Sequence, residues 1–386
     1  MTLRAGVVGA GVAALTVHLP ALAASSRFDL VGVADTDPQR AAAAAEQFDL
    51  EHAFTSHTEL VDAVAPDAVV VATPPSSHAP LGLELLGRRV HLLVEKPLAR
   101  DTSECGALIE AAEAAGVTLA VGHEKRFHPT LQKVGALLAG GAIGKPFHCG
   151  VHWGSSAKLE PELLVPDGFR AGYEWRWRDA AVGGGLLQDH LPHYVDLVRH
   201  WLAREPVTVF AQCRNVARDV LHWPERDSRW DDFGLALVMF EGGLLLRFET
   251  SVVGRSLSPL WSLGSGVGEW TEYAYVLGSE GQLVFDLLPW DSGEHGRIAL
   301  WQLSAARDGR GWTWVEQPEP ARRAGGAAAS MFAQQADSWA DLIEGRPSAI
   351  ATGEDGLVAT SAVEAAYRSA AESAAAVLAP AVKVRV

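Results

Sequence analysis

The stretch Leu3–Asp35, LRAGVVGAGVAALTVHLPALAASSRFDLVGVAD, decides how the chain is read. An apolar run, LRAGVV, meets Gly9, Gly11 and Ala14 in the order G-x-G-x-x-A, continues as the helical pattern VAALTVHLPAL, and returns to a second apolar run, FDLVGVA, that stops at Asp35. The order is strand, glycine turn, helix, strand, acid. Gly9 permits the tight turn, Gly11 lets the backbone approach a pyrophosphate, and Ala14 is small enough for the helix to lie close to the strand. Val12 and Ala13 open that helix, whose unpaired N–H groups and positive dipole end favour phosphates. Asp35 stands about twenty residues beyond the fingerprint, where a carboxylate accepts hydrogen bonds from ribose hydroxyls. Such a carboxylate would repel a 2′-phosphate, so NAD is expected rather than NADP. The competing reading is an ordinary strand-to-helix turn; the flanking strands and the acid at the right distance weigh against it.

Strands and helices alternate onward from Asp35. Short runs predict a strand near Ala53, a helix over 58–64, a buried strand ending at Thr73, a helix beginning at His78, a strand over 90–94, a helix over 102–115 and a sixth strand over 117–121. Nearly continuous apolar strands between helices argue a parallel sheet covered on both faces, with ligands outside its carboxyl ends. Beyond residue 122 the rhythm changes. Helices over 130–138 and 187–201 are followed by β-like runs such as FGLALVMF and GQLVFDL with Gly-containing turns, which indicate an antiparallel sheet. The expected fold is therefore α/β: an N-terminal doubly wound parallel sheet over 1–122 and an α/β domain with an open, predominantly antiparallel sheet over 123–386. Two Ala-rich helices within 327–376 are expected to pack back on the body.

A net charge of −15 lacks the basic footprint that nucleic acid or an anionic membrane surface would need. Cys105, Cys149 and Cys213 are far apart and include no C-x-x-C pair, so neither a disulfide framework nor a zinc site is expected. No H-E-x-x-H motif is present and no metal is expected. The first strand starts almost at once, and no apolar run approaches the about 18 residues of a membrane span. The expectation is a cytoplasmic protein.

The segments TPPSSH (73–78), EKP (95–97), VGHEKRFHP (121–129), GGGLLQDHLPHYVDL (183–197) and TGEDGLVATSAVEAAYRSA (352–370), in that order behind the glycine turn, closely resemble the Gfo/Idh/MocA family of sugar and inositol oxidoreductases. The resemblance runs from Leu3 to about Ser373. It implies a Rossmann domain followed by an α/β domain whose open sheet often forms the oligomer interface, hence a homodimer or homotetramer.

Moving a hydride from a carbinol carbon to nicotinamide leaves a hydroxyl proton, and a base must sit within about 3 Å of that oxygen. Lys96, at a strand end before a proline, is placed to reach the crevice; an isolated lysine there would read as a solvated strand end. An ammonium beside a cationic nicotinamide ring is disfavoured, which suits this lysine to proton exchange. In the family the lysine of EKP is the characteristic active-site residue.

Asp189 and His193 lie four apart on a predicted helix and share one face. The carboxylate could fix the histidine tautomer while the imidazole exchanges a proton, or the two could merely cap the helix. The resemblance implies substrate-binding Asp189 and catalytic His193 through D-x-G-x-H-x-x-D, with Leu191 replacing the glycine and Pro192 beside it. His190 is expected to be structural. The same resemblance sets Thr73, Pro74, His78 and Glu95 along the cofactor, and His123 and Arg126 on the substrate. Arg126 reads equally as a structural salt bridge. Trp175 and Arg176 match a Trp-Arg pair near the nicotinamide or substrate, with Trp177-Arg178 two residues on as the alternative alignment.

The function expected is NAD-dependent hydride transfer at a secondary hydroxyl of a sugar, inositol or sugar derivative, with Lys96 and His193 handling the proton. One alternative is redox-neutral glycoside cleavage, by transient oxidation and elimination, with the 154–182 stretch accommodating a bulky glycoside. Another is a non-catalytic NAD-binding regulator.

Overall fold

The computed structural model describes residues 2–155, 184–219, 231–251, 270–287, 296–315 and 326–378. Among them, 2–127 and 328–360 form one compact unit, and the remainder of 128–327 together with 361–378 forms another.

The first unit holds β1 (Leu3–Val8), β2 (Phe28–Ala34), β3 (Ala53–Phe54), β4 (Ala68–Val71), β5 (His91–Glu95), β6 (Leu119–Gly122) and, from far along the chain, β15 (Ala351–Thr352). Their order is β3-β2-β1-β4-β5-β6-β15, parallel throughout except for the antiparallel edge strand β15. The chain leaves β3 and re-enters at β4 on the other side of β1, so the strand order reverses between β1 and β4. In such sheets that reversal is where the carboxyl ends open a ligand crevice.

Helices cover both faces: α1 (Leu19–Ala24), α2 (Pro38–Gln47), α3 (His57–Val64), α4 (His78–Gly87) and α5 (Thr102–Ala115). Successive side chains of a strand point to opposite faces, and the four residues of β4 are buried on both. Val70 joins a core with Val7, Leu93, Leu19, Leu22 and Trp339, while Val69 and Val71 join one with Leu92, Val94, Leu85 and Leu108. Burial of each such leucine or valine contributes roughly 1.5–3 kcal/mol.

The expected domain limits put everything after residue 122 in the second domain. Here the first unit ends at Phe127 and reclaims 328–360. The physical reason is packing: Trp339 stacks on Phe28 with ring centroids 5.2 Å apart, and Ala351 pairs with Val121.

The second unit is built on nine strands in the order β14-β13-β12-β11-β7-β10-β9-β8-β16. In chain order these are β7 (Pro146–Ser155), β8 (Pro206–Arg214), β9 (Phe233–Phe240), β10 (Leu245–Ser251), β11 (Trp270–Gly278), β12 (Gly281–Leu287), β13 (Ile298–Gln302), β14 (Thr313–Trp314) and β16 (Ala376–Val377). All neighbours are antiparallel except β7 and β10. One face buries Leu246, Phe248, Ala236, Val238, Val276 and Leu283, near α6 (Pro129–Ala139) and α7 (Leu186–Leu202). A Cβ on Gly234 would stand 2.6 Å from Leu187 Cγ, so that glycine admits α7 to the sheet. Of the Ala-rich helices, α8 (Gly326–Ile343) belongs almost wholly to the first unit, and α9 (Gly353–Glu372) begins in the first and ends in the second.

Candidate active site

The site of the first unit grows from the carboxyl ends of β1, β2, β4, β5 and β6. After β1 the chain turns at Gly9, whose φ of 98° is one that side chains resist. A Cβ there would lie 2.5 Å from the Ala72 carbonyl oxygen, so Gly9 is also what lets β1 and β4 end side by side. A Cβ on Gly11 would meet nothing within 4 Å, which leaves backbone bare on the open side of the turn. Val12 and Ala13 are half-buried and Ala14 is fully buried.

Asp35 ends β2 and fastens this turn. Its Oδ2 accepts the Ala10 N–H at 2.7 Å and its Oδ1 the Asp37 N–H at 2.9 Å. A carboxylate has about four lone-pair sites, so two remain for ribose hydroxyls. A bare glycine backbone, a helix start and an acid with acceptors to spare fit a dinucleotide.

The expected helix after the turn departs from regularity. Ala14–His18 is a π-helical turn, in which Leu19 N–H donates to the Ala14 carbonyl. Pro20, at the start of α1, has no N–H for the carbonyl of Thr16 and its ring crowds that carbonyl. The wider turn accommodates the proline and aims His18 inward.

His18 is the residue that sequence reasoning missed. It is 3% exposed, and its Nε2 lies 2.7 Å from Glu95 Oε1, across 77 positions of sequence. A carboxylate only accepts, so Nε2 carries the proton. Glu95 Oε2 accepts the backbone N–H of Lys96 at 3.1 Å. A Cβ on Gly122, its neighbour in register, would stand 3.0 Å from Glu95 Oε1, so glycine there leaves the carboxyl room. Burial pushes the Glu95 carboxyl up, but the His18 hydrogen bond and the charges of His18, Lys96 and His78 outweigh it and the net shift is downward.

Lys96 follows directly, half-buried, and the Lys96–Pro97 peptide is cis. Thr73 and Pro74 are half-buried at the end of β4. His78, expected along the cofactor, is fully enclosed instead, its Nδ1 2.9 Å from the Pro97 carbonyl oxygen and its Nε2 2.8 Å from that of Thr73. Its part is to brace the two loops. Burial lowers its pKa, partly offset by those carbonyls and Glu95.

Beyond β6, His123, Glu124, Lys125 and Arg126 are all buried. Arg126 makes the salt bridge of one of its two expected readings: Nη2 pairs with Asp355 Oδ2 at 3.0 Å and Nη1 donates to the Ala349 carbonyl at 3.1 Å, tying the returning segment to the sheet. Glu124, also absent from the expectations, is pushed up to about 7 by burial and by the Glu95 charge, with Lys96 and Lys125 pulling it back.

In the second unit, α7 carries Asp189, His190 and His193. Gly185 precedes it, and the cap comes from afar: Asp231 Oδ2 accepts the Leu187 N–H at 2.9 Å and its backbone carbonyl that of Leu186 at 3.0 Å. Tyr367 donates to Asp231 Oδ1 at 2.6 Å. Burial pushes Asp231 up to about 6 against these bonds. His193 is buried, and Asp189 Oδ2 lies 3.5 Å from His190 Nε2, whose ring stacks on Trp153 with centroids 3.8 Å apart. That accounts structurally for His190. Leu191 is fully buried and Pro192 lies inside the helix, which denies the Gln188 carbonyl its usual donor. Trp175 and Arg176 lie outside the described residues, as do Trp177 and Arg178 and nearly all of the 154–182 stretch. Among the described residues no His, Cys, Asp or Glu group is arranged to hold a metal, and no helix is long and apolar enough to cross a membrane.

Comparison with known proteins gives consistent matches. Residues 3–123 match the family model described as "Oxidoreductase family, NAD-binding Rossmann fold", and residues 131–284 match "GFO/IDH/MocA C-terminal domain". Inositol 2-dehydrogenase 4 of Saccharopolyspora erythraea is 34% identical over 213 residues, 53% of this chain and 55% of that protein. UDP-N-acetylglucosamine 3-dehydrogenase of Acidithiobacillus ferrooxidans is 32% identical over 209 residues, 54% and 57% of the two. The chain thus spans little more than half the length of these curated relatives. Among solved structures, GenD2 from gentamicin A biosynthesis, in complex with NAD, is 26% identical with a TM-score of 0.74, covering 98% of this chain and 97% of that one. Levoglucosan dehydrogenase with NADH and levoglucosan reaches a TM-score of 0.79 at 20% identity, covering 98% and 100%, a likeness of fold.

Proposed function

This chain belongs to the GFO/IDH/MocA oxidoreductase family, with its NAD-binding Rossmann fold, and from that premise we propose that it is an NAD-dependent dehydrogenase of a secondary hydroxyl on a sugar, inositol or sugar derivative. The observation that carries the reading lies in the first unit: Asp35 is bonded to the glycine turn at Ala10 while Glu95 holds the Lys96 backbone on the same carboxyl edge of the sheet. Gly9, Gly11, Val12, Ala13 and Ala14 would hold the pyrophosphate, Asp35 the ribose hydroxyls, and Thr73, Pro74 and Glu95 would border the nicotinamide. NAD, when bound, supplies the acceptor for the hydride that leaves the carbinol carbon.

The chain's own work is proton handling and recognition. Lys96 takes the hydroxyl proton as the C–H bond breaks and the C=O bond forms, a contribution typically of about 10²- to 10⁴-fold. His18 and Glu95 hold its backbone. Asp189 and His193 are assigned to substrate recognition and proton exchange, and His123, Trp175 and Arg176 to substrate or nicotinamide contact, as the family resemblance implies. The face of the nine-stranded sheet on which Phe210 and Met239 are exposed is assigned to self-association as a homodimer or homotetramer.

The test is a panel of sugars, inositols and glycosides incubated with NAD, following reduced-nicotinamide absorbance and products together. The reading expects one polyol to give ketone and reduced coenzyme in equal amounts. Aglycone release with no net reduction, or coenzyme binding with no reduction by any polyol, would contradict it.

A further inference from the structure

Two acids meet one lysine at the ends of β5 and β6, and the reaction as derived uses only one of them. Glu95 and Gly122 are partners in the parallel register, and Glu124 follows two residues after Gly122 on a tight turn, Glu124–Phe127. Glu124 is 7% exposed, and His18 reaches Glu95 from the helix after the glycine turn. Glu124 is buried and Glu95 half-buried, and two carboxyls that feel each other's charge do not readily ionise at once; one keeps a proton. His18 settles which, because a donor 2.7 Å from Glu95 favours the anion there and leaves the proton to Glu124.

We propose that Glu95 and Glu124 form a proton-sharing carboxyl pair beside Lys96, with His18 assigning the negative charge to Glu95, so that Glu124 gains or loses its proton as the charge on Lys96 changes. This rests on the reading of Lys96 as the proton-transfer group. In that role a proton arriving on the amine is balanced by one leaving the Glu124 carboxyl for bulk water, an O–H bond broken and a carboxylate formed with no change of oxidation state. The net charge of the buried cluster stays constant. Glu124 is thereby a positioning residue for charge, acting through the lysine. The opposed shifts agree: Glu95 is held down and Glu124 is raised to about 7.

Other charges face the pair as well. Lys96 and Lys125 draw Glu124 toward ionisation, from β5 and from its own turn. His78, at the start of α4, favours the Glu95 anion. Arg126, two residues beyond Glu124, pairs with Asp355.

The experiment is infrared titration of the ligand-free, full-length protein from about pH 5 to about pH 9, following the carbonyl stretch of a protonated carboxyl buried from solvent. Besides the band of buried Asp231, which titrates near 6, the wild type is expected to lose one with a midpoint near 7, and Glu124→Gln to lack that second band. Lys96→Met removes a charge that favours the Glu124 anion and moves the midpoint up by at least about half a unit; Glu95→Gln removes one that opposes it and moves the midpoint down. No band with a midpoint near 7 in the wild type, its survival in Glu124→Gln, or a midpoint indifferent to both other substitutions would overturn the proposal. Neither substrate nor coenzyme takes part. Undiminished turnover by Lys96→Ala would therefore sink the lysine's catalytic role by itself, while the carboxyl pair would stand or fall on the titration.

Discussion

With Asp35 Oδ2 on the Ala10 N–H and Oδ1 on the Asp37 N–H, the side chain shapes the glycine turn and, in the proposed reading, would also hold the ribose. Asp35→Ala is expected to raise the Kd for NAD at least about tenfold, since it removes charge-assisted hydrogen bonds worth about 1.5–3 kcal/mol each, and to narrow the preference over NADP. A titration of both coenzymes by protein fluorescence reads the change. Glu124 yields a stability prediction. Its folded pKa, about 7, lies above the ordinary 4.5, so the stabilisation it gives is full below the unfolded value and is lost as pH rises through 7. Glu124→Gln, which never ionises, should therefore gain on the wild type between about pH 4 and pH 8, by on the order of 3 kcal/mol. Thermal melts at the two pH values measure it, and an equal Tm difference at both would contradict the assignment. The place of the fingerprint glycines and Asp35 on the carboxyl edge was legible in the sequence because dinucleotide chemistry ties residue type to fixed spacing along one strand–turn–helix unit, and that of Lys96 only through the resemblance carried by EKP. His18 with Glu95 was not. That pair spans 77 positions and depends on a π turn that the apolar pattern VAALTVHLPAL does not distinguish from regular helix.

Among elements, α7 shows how a helix can be capped by a residue its own sequence does not contain. Gly185 offers no side chain, and a Cβ there would overlap Asp231 Oδ1, so glycine is what admits the distant carboxyl. Asp231→Ala is expected to destabilise the protein by about 2 kcal/mol, the loss of a cap plus the loss of the acceptor for the Tyr367 O–H. Urea unfolding would show it as a lower midpoint; an unchanged midpoint would mean the cap contributes nothing. The long helices and strands were readable because periodicity accumulates over many residues. The two-residue strands β15 and β16 carry no period at all. Nor does alternation distinguish the parallel β7–β10 pair from its antiparallel neighbours, since half-buried strands alternate alike in either sense.

On the scale of the whole molecule, both sheet types were legible and the path between the units was not. The segment 328–360 joins the first unit through Trp339, Arg126–Asp355 and β15, contacts between residues more than 200 positions apart. Self-association predicts that Met239→Glu, on the sheet face assigned to it and 38% exposed, lowers the sedimenting mass to that of one chain. An unchanged mass would move the interface elsewhere. The central claim is that a dinucleotide seated by the Gly9–Asp35 turn receives a hydride while Lys96 takes the proton. Rapid mixing of the NAD-saturated protein with the polyol found in the panel, wild type against Lys96→Ala, tests it most directly. The account predicts an unchanged Kd for NAD and a first-turnover reduction rate at least about a hundredfold slower in the variant; equal rates in the two proteins would contradict it.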